Sequence, residues 1–157
     1  MKSLSVPIFL SLLLAPVVFS KVQGVTEINC GGKAWNLDQV QSASDESLGH
    51  VNDGSTVGNN NYPHKFNNRE GFDFSKECTE PFYEFPIVKG GDYDGGPPNT
   101  DRVVIGTVKG GSAFFCGAIT HTGAEGNNFK ECHDRGNKTI PVVGKRIMRR
   151  GIRLPLA

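Results

Sequence analysis

Four side chains in the middle of this chain could together perform acid–base chemistry at a phosphate. They are His64, Glu84, Arg102 and His121. A displacement at phosphorus removes a proton on one side and delivers one on the other, so it needs two groups in different protonation states at one pH. A carboxylate and a histidine supply them. A fixed guanidinium adds stabilisation of the charge that develops on the phosphoryl oxygens. The set predicts a site that cleaves a phosphodiester.

A cluster of side chains suited to recognising bases follows His64 closely. It is Asn67-Asn68-Arg69-Glu70, inside a stretch from 52 to 74 that is dense in Gly and Asn and that we expect to be loop. A loop of this composition exposes amides and side chains to a ligand. Together with the four acid–base residues, the cluster predicts an enzyme that cleaves RNA.

The first 20 residues predict a secretory signal peptide. Lys2 provides a short basic start, and the apolar run from 6 to 18 is interrupted by prolines and a serine. This run is too short and too interrupted to span a membrane. We expect cleavage after Ser20, with cleavage after Gly24 as the alternative, and therefore an extracellular protein.

Charge divides the remaining chain into two parts. Residues 21–132 carry 9 Lys/Arg against 15 Asp/Glu, whereas residues 133–157 carry 7 against 1. An acidic body excludes a broad basic face for nucleic acid, so affinity for RNA has to come from a focused local site. We expect one catalytic domain over 21–132 and a basic, flexible tail over 133–157.

The four cysteines predict two disulfides, because export places them in an oxidising compartment. Their spacing contains no CxxC pair, so we do not expect a zinc site. Three pairings are possible. We favour Cys30 with Cys132, which closes the two ends of the domain, and Cys78 with Cys116.

One helix and several strands are predicted from local patterns. Asn36 with Gln39 three residues on is typical of a helix N-terminus, and apolar residues at helical spacing follow until Gly49, where we expect the helix to end. Three later runs, rich in β-branched and aromatic residues and separated by Gly/Pro turns, predict strands over 83–88, 102–108 and 114–121.

This order of elements predicts an α+β domain with one α-helix packed on an antiparallel β-sheet. Successive side chains of a strand point to opposite faces. If the three predicted strands are neighbours, Glu84, Arg102 and His121 can face the same side of the sheet.

Five segments carry longer motifs that match a known family. They are YPHKFNN at 62–68, EGFDF at 70–74, YEFPI at 83–87, DRVV at 101–104 and ITHTGA with GNNF within 119–129. In this order they resemble the fungal guanyl-specific ribonucleases, small secreted microbial enzymes distantly related to barnase. The similarity runs from about Cys30 to Cys132, and the tail from His133 has no counterpart in the family.

The resemblance implies the microbial ribonuclease fold and metal-free cleavage of single-stranded RNA 3′ of guanosine, through a 2′,3′-cyclic phosphate that is then hydrolysed. It implies that Glu84 is the general base and His121 the general acid. His64 would assist the base and can replace it. The remaining residues implied around the phosphate are Arg102, Tyr62 and Phe129.

The resemblance also implies a guanine site composed of Phe66, Asn67, Asn68, Arg69, Glu70 and Asn127. Ionised Glu70 only accepts hydrogen bonds, which suits the adjacent N1 and N2 donors of guanine. The family usually has a tyrosine lid at the position of Arg69, and a guanidinium plane can likewise stack on a purine. The family further supports the Cys30–Cys132 pairing and implies cis peptide bonds before Pro63 and Pro81.

Two other functions remain open from the sequence. One is a ribotoxin-like protein that cleaves ribosomal RNA, although such proteins carry long basic loops and this body is acidic. The other is a non-catalytic secreted effector that binds host RNA or protein, although every matched catalytic position is filled here. We expect a monomer that acts on single-stranded RNA, with no cofactor, no metal and no membrane partner.

Overall fold

A single helix and nine strands make up the part of the chain that the structure, a computed structural model, describes: residues 21–135. The helix, α1, is Leu37–Asp53. The strands are β1 (Lys21–Gln23), β2 (Ile28–Cys30), β3 (Lys33–Trp35), β4 (His64–Phe66), β5 (Phe82–Pro86), β6 (Asp101–Lys109), β7 (Ser112–Thr120), β8 (Lys130–Glu131) and β9 (His133–Asp134). The predicted signal peptide lies outside the described residues, as does the tail beyond Arg135.

The strands form one large and one small sheet. The large sheet has the order β1-β7-β6-β5-β4, with β8 also paired to β7, and the small sheet has the order β3-β2-β9. Every pairing is antiparallel except that of β1 with β7, which is parallel. The predicted α+β class, with one helix and a mainly antiparallel sheet, is confirmed.

The helix begins where the sequence predicts and ends later. The Asn36 side chain accepts from the Gln39 N–H at 2.9 Å and the Gln39 side chain accepts from the Asn36 N–H at 3.1 Å, a complete capping box. The predicted end at Gly49 is wrong, since the helix continues to Asp53 and terminates at Gly54, which has φ 62°. A glycine inside a helix costs only about 1 kcal/mol, so the helix can continue through Gly49.

The three predicted strands exist with shifted ends. They are β5, β6 and β7, so that Ile87 and His121 lie just beyond their strands. The stretch from 52 to 74 is not entirely loop, because β4 lies within it and pairs with β5. The peptide bonds before Pro63 and Pro81 are cis, as the resemblance implied.

Apolar side chains cover both faces of the large sheet. On one face Val40, Ala43 and Leu48 of α1 belong to the same buried cluster as Phe85 and Val103. On the other face is a smaller, mainly aromatic cluster, which comprises Phe66, Phe82, Val104, Cys116 and Ile119 with Phe72, Phe74, Cys78 and Phe129 packed against them. The sheet therefore has a helix on one side and an aromatic layer on the other.

Two disulfides connect segments that are distant in the sequence. Cys30 is bonded to Cys132 and Cys78 to Cys116, which are the pairings that we favoured. Beyond Cys132 the chain continues as β9, which pairs with β2, and the N–H of Arg135 donates to the carbonyl of Glu27 at 2.7 Å. The ordered body thus extends at least three residues past the boundary that composition suggested.

The buried carboxylate of Asp101 joins three strands. It is fully buried and accepts from Trp35 Nε1 at 2.9 Å and from the Thr120 hydroxyl at 2.6 Å. Thr100 donates to it as well, and Lys33 Nζ lies 3.4 Å away. Because these donors come from β3, from β7 and from the residue before β6, this single side chain fixes the ends of β3, β6 and β7 relative to one another.

We expect Asp101→Ala to lower the free energy of unfolding by about 3 kcal/mol or more, because it leaves several buried donors without an acceptor. Urea denaturation measures the loss. Exposed Glu125 makes no recorded ion pair within residues 21–135 and provides the control, since Glu125→Ala should change stability by less than about 0.5 kcal/mol. A similar, small effect of both substitutions would contradict the role given to Asp101.

Candidate active site

Antiparallel register brings the predicted acid–base residues to the face of the sheet opposite α1. His64 pairs with Glu84 across β4 and β5, and Glu84 pairs with Val104 across β5 and β6. Arg102 lies two residues before Val104 and therefore on the same face. His121 follows Thr120, the last residue of β7, and so lies on the side of Ile119, which pairs with Arg102. The alternation argument from the sequence is borne out by this register.

A hydrogen bond joins Glu84 to His64. His64 Nδ1 is 3.1 Å from Glu84 Oε1, and its Nε2 donates to the carbonyl of Asn60. A carbonyl only accepts, so Nε2 carries a proton and the contact between Nδ1 and Oε1 holds a further one. The ring of Tyr62 stacks on His64 with centroids 4.0 Å apart and keeps the imidazole in this position.

Burial makes Glu84 a stronger base than an ordinary carboxylate. The residue is 7% exposed, and desolvation raises its pKa above the usual value. The positive charges of Arg102, His64 and His121 all act to lower that pKa, without cancelling the effect of burial. Oε2 has no hydrogen-bond partner among the described residues.

Arg102 is held almost completely buried, with 3% of its surface exposed. Nη1 donates to the carbonyls of Pro98, Asn99 and Asp101 at 2.8, 3.1 and 2.9 Å. Nε and Nη2 donate to the hydroxyl of Tyr62 at 3.2 and 3.0 Å. A guanidinium has five N–H donors, so one N–H of Nη2 has no acceptor among residues 21–135 and can meet a ligand. Burial raises the pKa of Tyr62, which keeps its hydroxyl neutral beside the cation.

His121 is oriented by the segment that follows it. Nδ1 donates to the carbonyl of Asn128 at 2.9 Å, and the ring stacks on Phe129 with centroids 4.0 Å apart. Fixing the proton on Nδ1 leaves Nε2 as the nitrogen that can exchange a proton with a ligand.

An open cavity of about 650 Å³ lies next to these residues. It is lined by all six residues that the resemblance implied for guanine, namely Phe66, Asn67, Asn68, Arg69, Glu70 and Asn127, and by Lys65, Asn128 and Phe129. The two sets of predicted site residues therefore meet at Phe129, which touches His121 and borders the cavity.

The wall of the cavity is a tight loop whose shape depends on Asn68. Its side chain accepts from the N–H of Phe72 at 2.8 Å and donates to the carbonyl of Phe72 at 2.9 Å, at a φ of 46°. Because that amide is engaged in closing the loop, it holds the backbone groups near Asn67 and Asn68 in a fixed position beside the cavity. Exposed Glu70 accepts from the N–H of Phe129 at 3.2 Å, which links the cavity wall to the segment behind His121.

Between residues 21 and 135, no three His, Cys, Asp or Glu side chains group as ligands of a metal ion. No helix in that range is long and apolar enough to cross a membrane.

Known proteins similar to this chain identify its family. A ribonuclease family model matches residues 23–133. The chain belongs to this ribonuclease family. Guanyl-specific ribonuclease T1 of Aspergillus oryzae is 44% identical over 127 residues, which cover 78% of this chain and 93% of the relative. Guanyl-specific ribonuclease Th1 of Trichoderma harzianum is 47% identical over 104 residues, 66% of this chain and 93% of the relative.

The name of a third relative describes it as extracellular. Extracellular guanyl-specific ribonuclease Fl1 of Gibberella baccata is 46% identical over 103 residues, which cover 66% of this chain and 92% of the relative. The family relationship thus rests on matches that span nearly the whole length of each relative.

Backbone groups that no sequence pattern indicated orient this ribonuclease's charged side chains. They are the carbonyls of Asn60, Pro98, Asn99 and Asn128. A carbonyl has no residue-specific signature, so no pattern could have indicated them. Tyr93, which packs on Tyr62, was also missed, and its only signal was an aromatic residue within a Gly/Pro-rich loop.

We expect Glu84→Gln to raise the melting temperature at pH 7. The folded-state pKa of Glu84 is raised, so folding favours its protonated form and the cost of the buried charge appears as pH rises through that pKa. Below the pKa of the unfolded chain the cost vanishes, and the difference between variant and parent should shrink.

Thermal denaturation at pH 7 and pH 4 tests this expectation, with exposed Glu125→Gln as the control, which should show no such pH-dependent difference. A Glu84→Gln variant less stable than the parent at pH 7 would show that the ion pairs outweigh desolvation.

Proposed function

We propose that this chain is a guanine-specific endoribonuclease that cleaves single-stranded RNA 3′ of guanosine. The observation that carries the proposal is the meeting of the Glu84–His64 pair, Arg102 and His121 with a cavity lined by the guanine-site residues. The curated relatives are named as guanyl-specific ribonucleases, which supports the same activity.

In the proposed reaction the 2′-hydroxyl of guanosine attacks its own 3′-phosphate. Glu84, supported by His64, takes the proton of that hydroxyl, and a raised pKa suits it to this task near neutral pH. His121 gives a proton from Nε2 to the departing 5′-oxygen. The product is a 2′,3′-cyclic phosphate, which water then opens as the two groups exchange roles.

The guanidinium of Arg102 would stabilise the negative charge that develops on the phosphate. The free N–H of Arg102 Nη2 and the hydroxyl of Tyr62 are oriented before the substrate arrives, so no reorganisation is needed as charge develops. Phe129 would provide an apolar contact beside the phosphate. This residue set performs the reaction with proton transfers and hydrogen bonds alone.

Guanine recognition would rest on Glu70 and the backbone of the Asn68 loop. The carboxylate can accept from N1 and N2 of the base, while backbone N–H groups near Asn67 and Asn68 can donate to O6 and N7. Phe66 and Asn127 border the same cavity, and Arg69 would stack on the purine from outside.

We further propose that the protein is secreted as a monomer and that residues 1–20 are removed as a signal peptide. One relative is named as extracellular, and two disulfides suit an oxidising compartment. The basic residues of the tail would increase affinity for long RNA by contacts to phosphates, without reading sequence.

Removing the two proton-transfer groups should affect the rate unequally. We expect His121→Gln to lower kcat/KM on GpC by about 10³-fold and Glu84→Gln by less, because His64 can take over as base. The pH–rate profile of the parent should be bell-shaped. Equal residual rates in both variants, with intact circular dichroism spectra, would contradict these roles, and a parent unable to cut GpC would favour a non-catalytic effector.

Base specificity should depend on Glu70. We expect Glu70→Ala to lower kcat/KM on GpC by about 10²-fold or more, because two donors of the base lose a charged acceptor. Its melting temperature should change little, since Glu70 is exposed. Steady-state kinetics on GpC and ApC measure the effect. A parent enzyme that cuts both dinucleotides equally fast would rule out guanine recognition.

The tail should be dispensable for chemistry but not for affinity. A chain ending after Arg135 keeps β9 and its pairing with β2, so we expect it to fold and to cut GpC at the parental rate. Its binding to a long RNA should be weaker and should depend less steeply on salt concentration. Loss of GpC cleavage in a folded truncated protein would show that the tail contributes to the site.

A further inference from the structure

The loop that joins β5 to β6, residues 87–100, supplies part of the surroundings of Arg102. Two of the three carbonyls that accept from Nη1 belong to this loop, those of Pro98 and Asn99. The third carbonyl is that of Asp101, which precedes Arg102 on β6. The position of the guanidinium therefore depends on how firmly the β5–β6 loop is held.

Tyr93 anchors this loop to the body. It is 3% exposed, its hydroxyl donates to the carbonyl of Gly96 at 2.6 Å, and its N–H donates to Glu46 Oε2 of α1 at 2.9 Å. Next to it, Asp92 accepts from the hydroxyl of Ser42, also on α1, at 2.6 Å. The bond to Gly96 lies only two residues before Pro98, so it constrains the turn that presents the two carbonyls.

The same tyrosine also touches the other partner of Arg102. The ring of Tyr93 meets the ring of Tyr62 edge-on, with centroids 5.8 Å apart and an interplanar angle of 89°. It meets Phe85 in the same way, at 5.8 Å and 90°. Tyr62 accepts from both Nε and Nη2 of Arg102. Tyr93 thus contacts Tyr62 through its ring and, through its hydroxyl, bonds to the loop that carries the carbonyls of Pro98 and Asn99.

We propose that Tyr93 is a positioning residue for phosphodiester cleavage, which aims Arg102 at the phosphate without touching the substrate. This inference rests on the proposed function, because it assumes that Arg102 meets the phosphate. The ring fixes the orientation of Tyr62, and the hydroxyl fixes the carbonyls of Pro98 and Asn99. Removal of the hydroxyl loosens the β5–β6 loop and therefore the carbonyls that hold Nη1. The hydrogen bonds of Nε and Nη2 to Tyr62 remain.

A displaced Arg102 has a second, measurable consequence at Glu84. The charged groups that act on Glu84 are Arg102, His64 and His121, and the charge of Arg102 contributes most to lowering its pKa. When the guanidinium moves away, the pKa of Glu84 rises further. The acidic limb of the pH–rate profile should then shift to higher pH, which a purely structural contribution of Tyr93 would not cause.

The test compares Tyr93→Phe with Tyr83→Phe, a matched removal of a hydroxyl on β5 from a half-buried tyrosine that packs against the main core. On GpC, well below the melting temperature of either variant, we expect Tyr93→Phe to lower kcat about three- to tenfold, the effect of one hydrogen bond. KM should stay unchanged, and the acidic limb should move upward. Tyr83→Phe should leave kcat and the pH profile unchanged.

A double-mutant cycle with Arg102→Lys decides whether Tyr93 acts through Arg102. If it does, Tyr93→Phe should cause little further loss of kcat in the Arg102→Lys background. If the fold-losses of kcat in the two single variants multiply in the double variant, Tyr93 does not act through Arg102 and the proposal is overturned. A parental kcat and pH profile in the single Tyr93→Phe variant would overturn it as well. A parent that fails to cut GpC would instead disprove the proposed function, so the two failures are distinguishable.

Discussion

Two buried charges of opposite sign occupy consecutive positions of β6, and most of the local structure serves to give each of them partners. Asp101 is fully buried on the side of Trp35 and Thr120, and Arg102 is 3% exposed on the opposite face of the sheet. An unpaired charge inside a protein is costly, so each must be surrounded by complementary groups. Asp101 thereby fixes the ends of three strands, while Arg102 requires Tyr62 and the carbonyls of the β5–β6 loop. One dipeptide thus connects the stability of the frame with the geometry of the site.

Glu84 illustrates the opposite arrangement, in which a charge is left incompletely paired. One oxygen of its carboxylate contacts His64, and the other has no hydrogen-bond partner among residues 21–135. Desolvation raises its pKa although three cations act against it. A carboxylate with this environment destabilises the folded state when ionised and is a better proton acceptor for the same reason. Strain of this electrostatic kind is expected at sites of acid–base chemistry.

The body of the protein is acidic although RNA is a polyanion, so the positive charges that attract a phosphate have to be concentrated in one place. Residues 21–132 carry more acidic than basic side chains, yet Arg102, His64 and His121 all act on the one carboxylate of Glu84. Charges in a partly desolvated site are screened less than charges on the surface. A small group of fixed cations can therefore hold one phosphate although the surrounding surface repels RNA, which suits an enzyme that reads one nucleotide and releases its product.

The sequence by itself determined the features that depend on short-range chemistry or on residue type. The capping box at Asn36 and Gln39 is local, and the identity of the charged residues in the site does not depend on the fold. The end of the helix was misjudged because a glycine is compatible with a helix interior as well as with a C-cap, and the structure has Gly54, not Gly49, in the left-handed conformation that ends the helix. Strand alternation placed Glu84, Arg102 and His121 on one face, but the contact of His64 with Glu84 required the register of β4, a strand hidden in a loop-like segment. The carbonyl partners of Arg102 and His121 were decided by the tertiary structure alone, because every residue has a backbone carbonyl and no residue type marks the ones used.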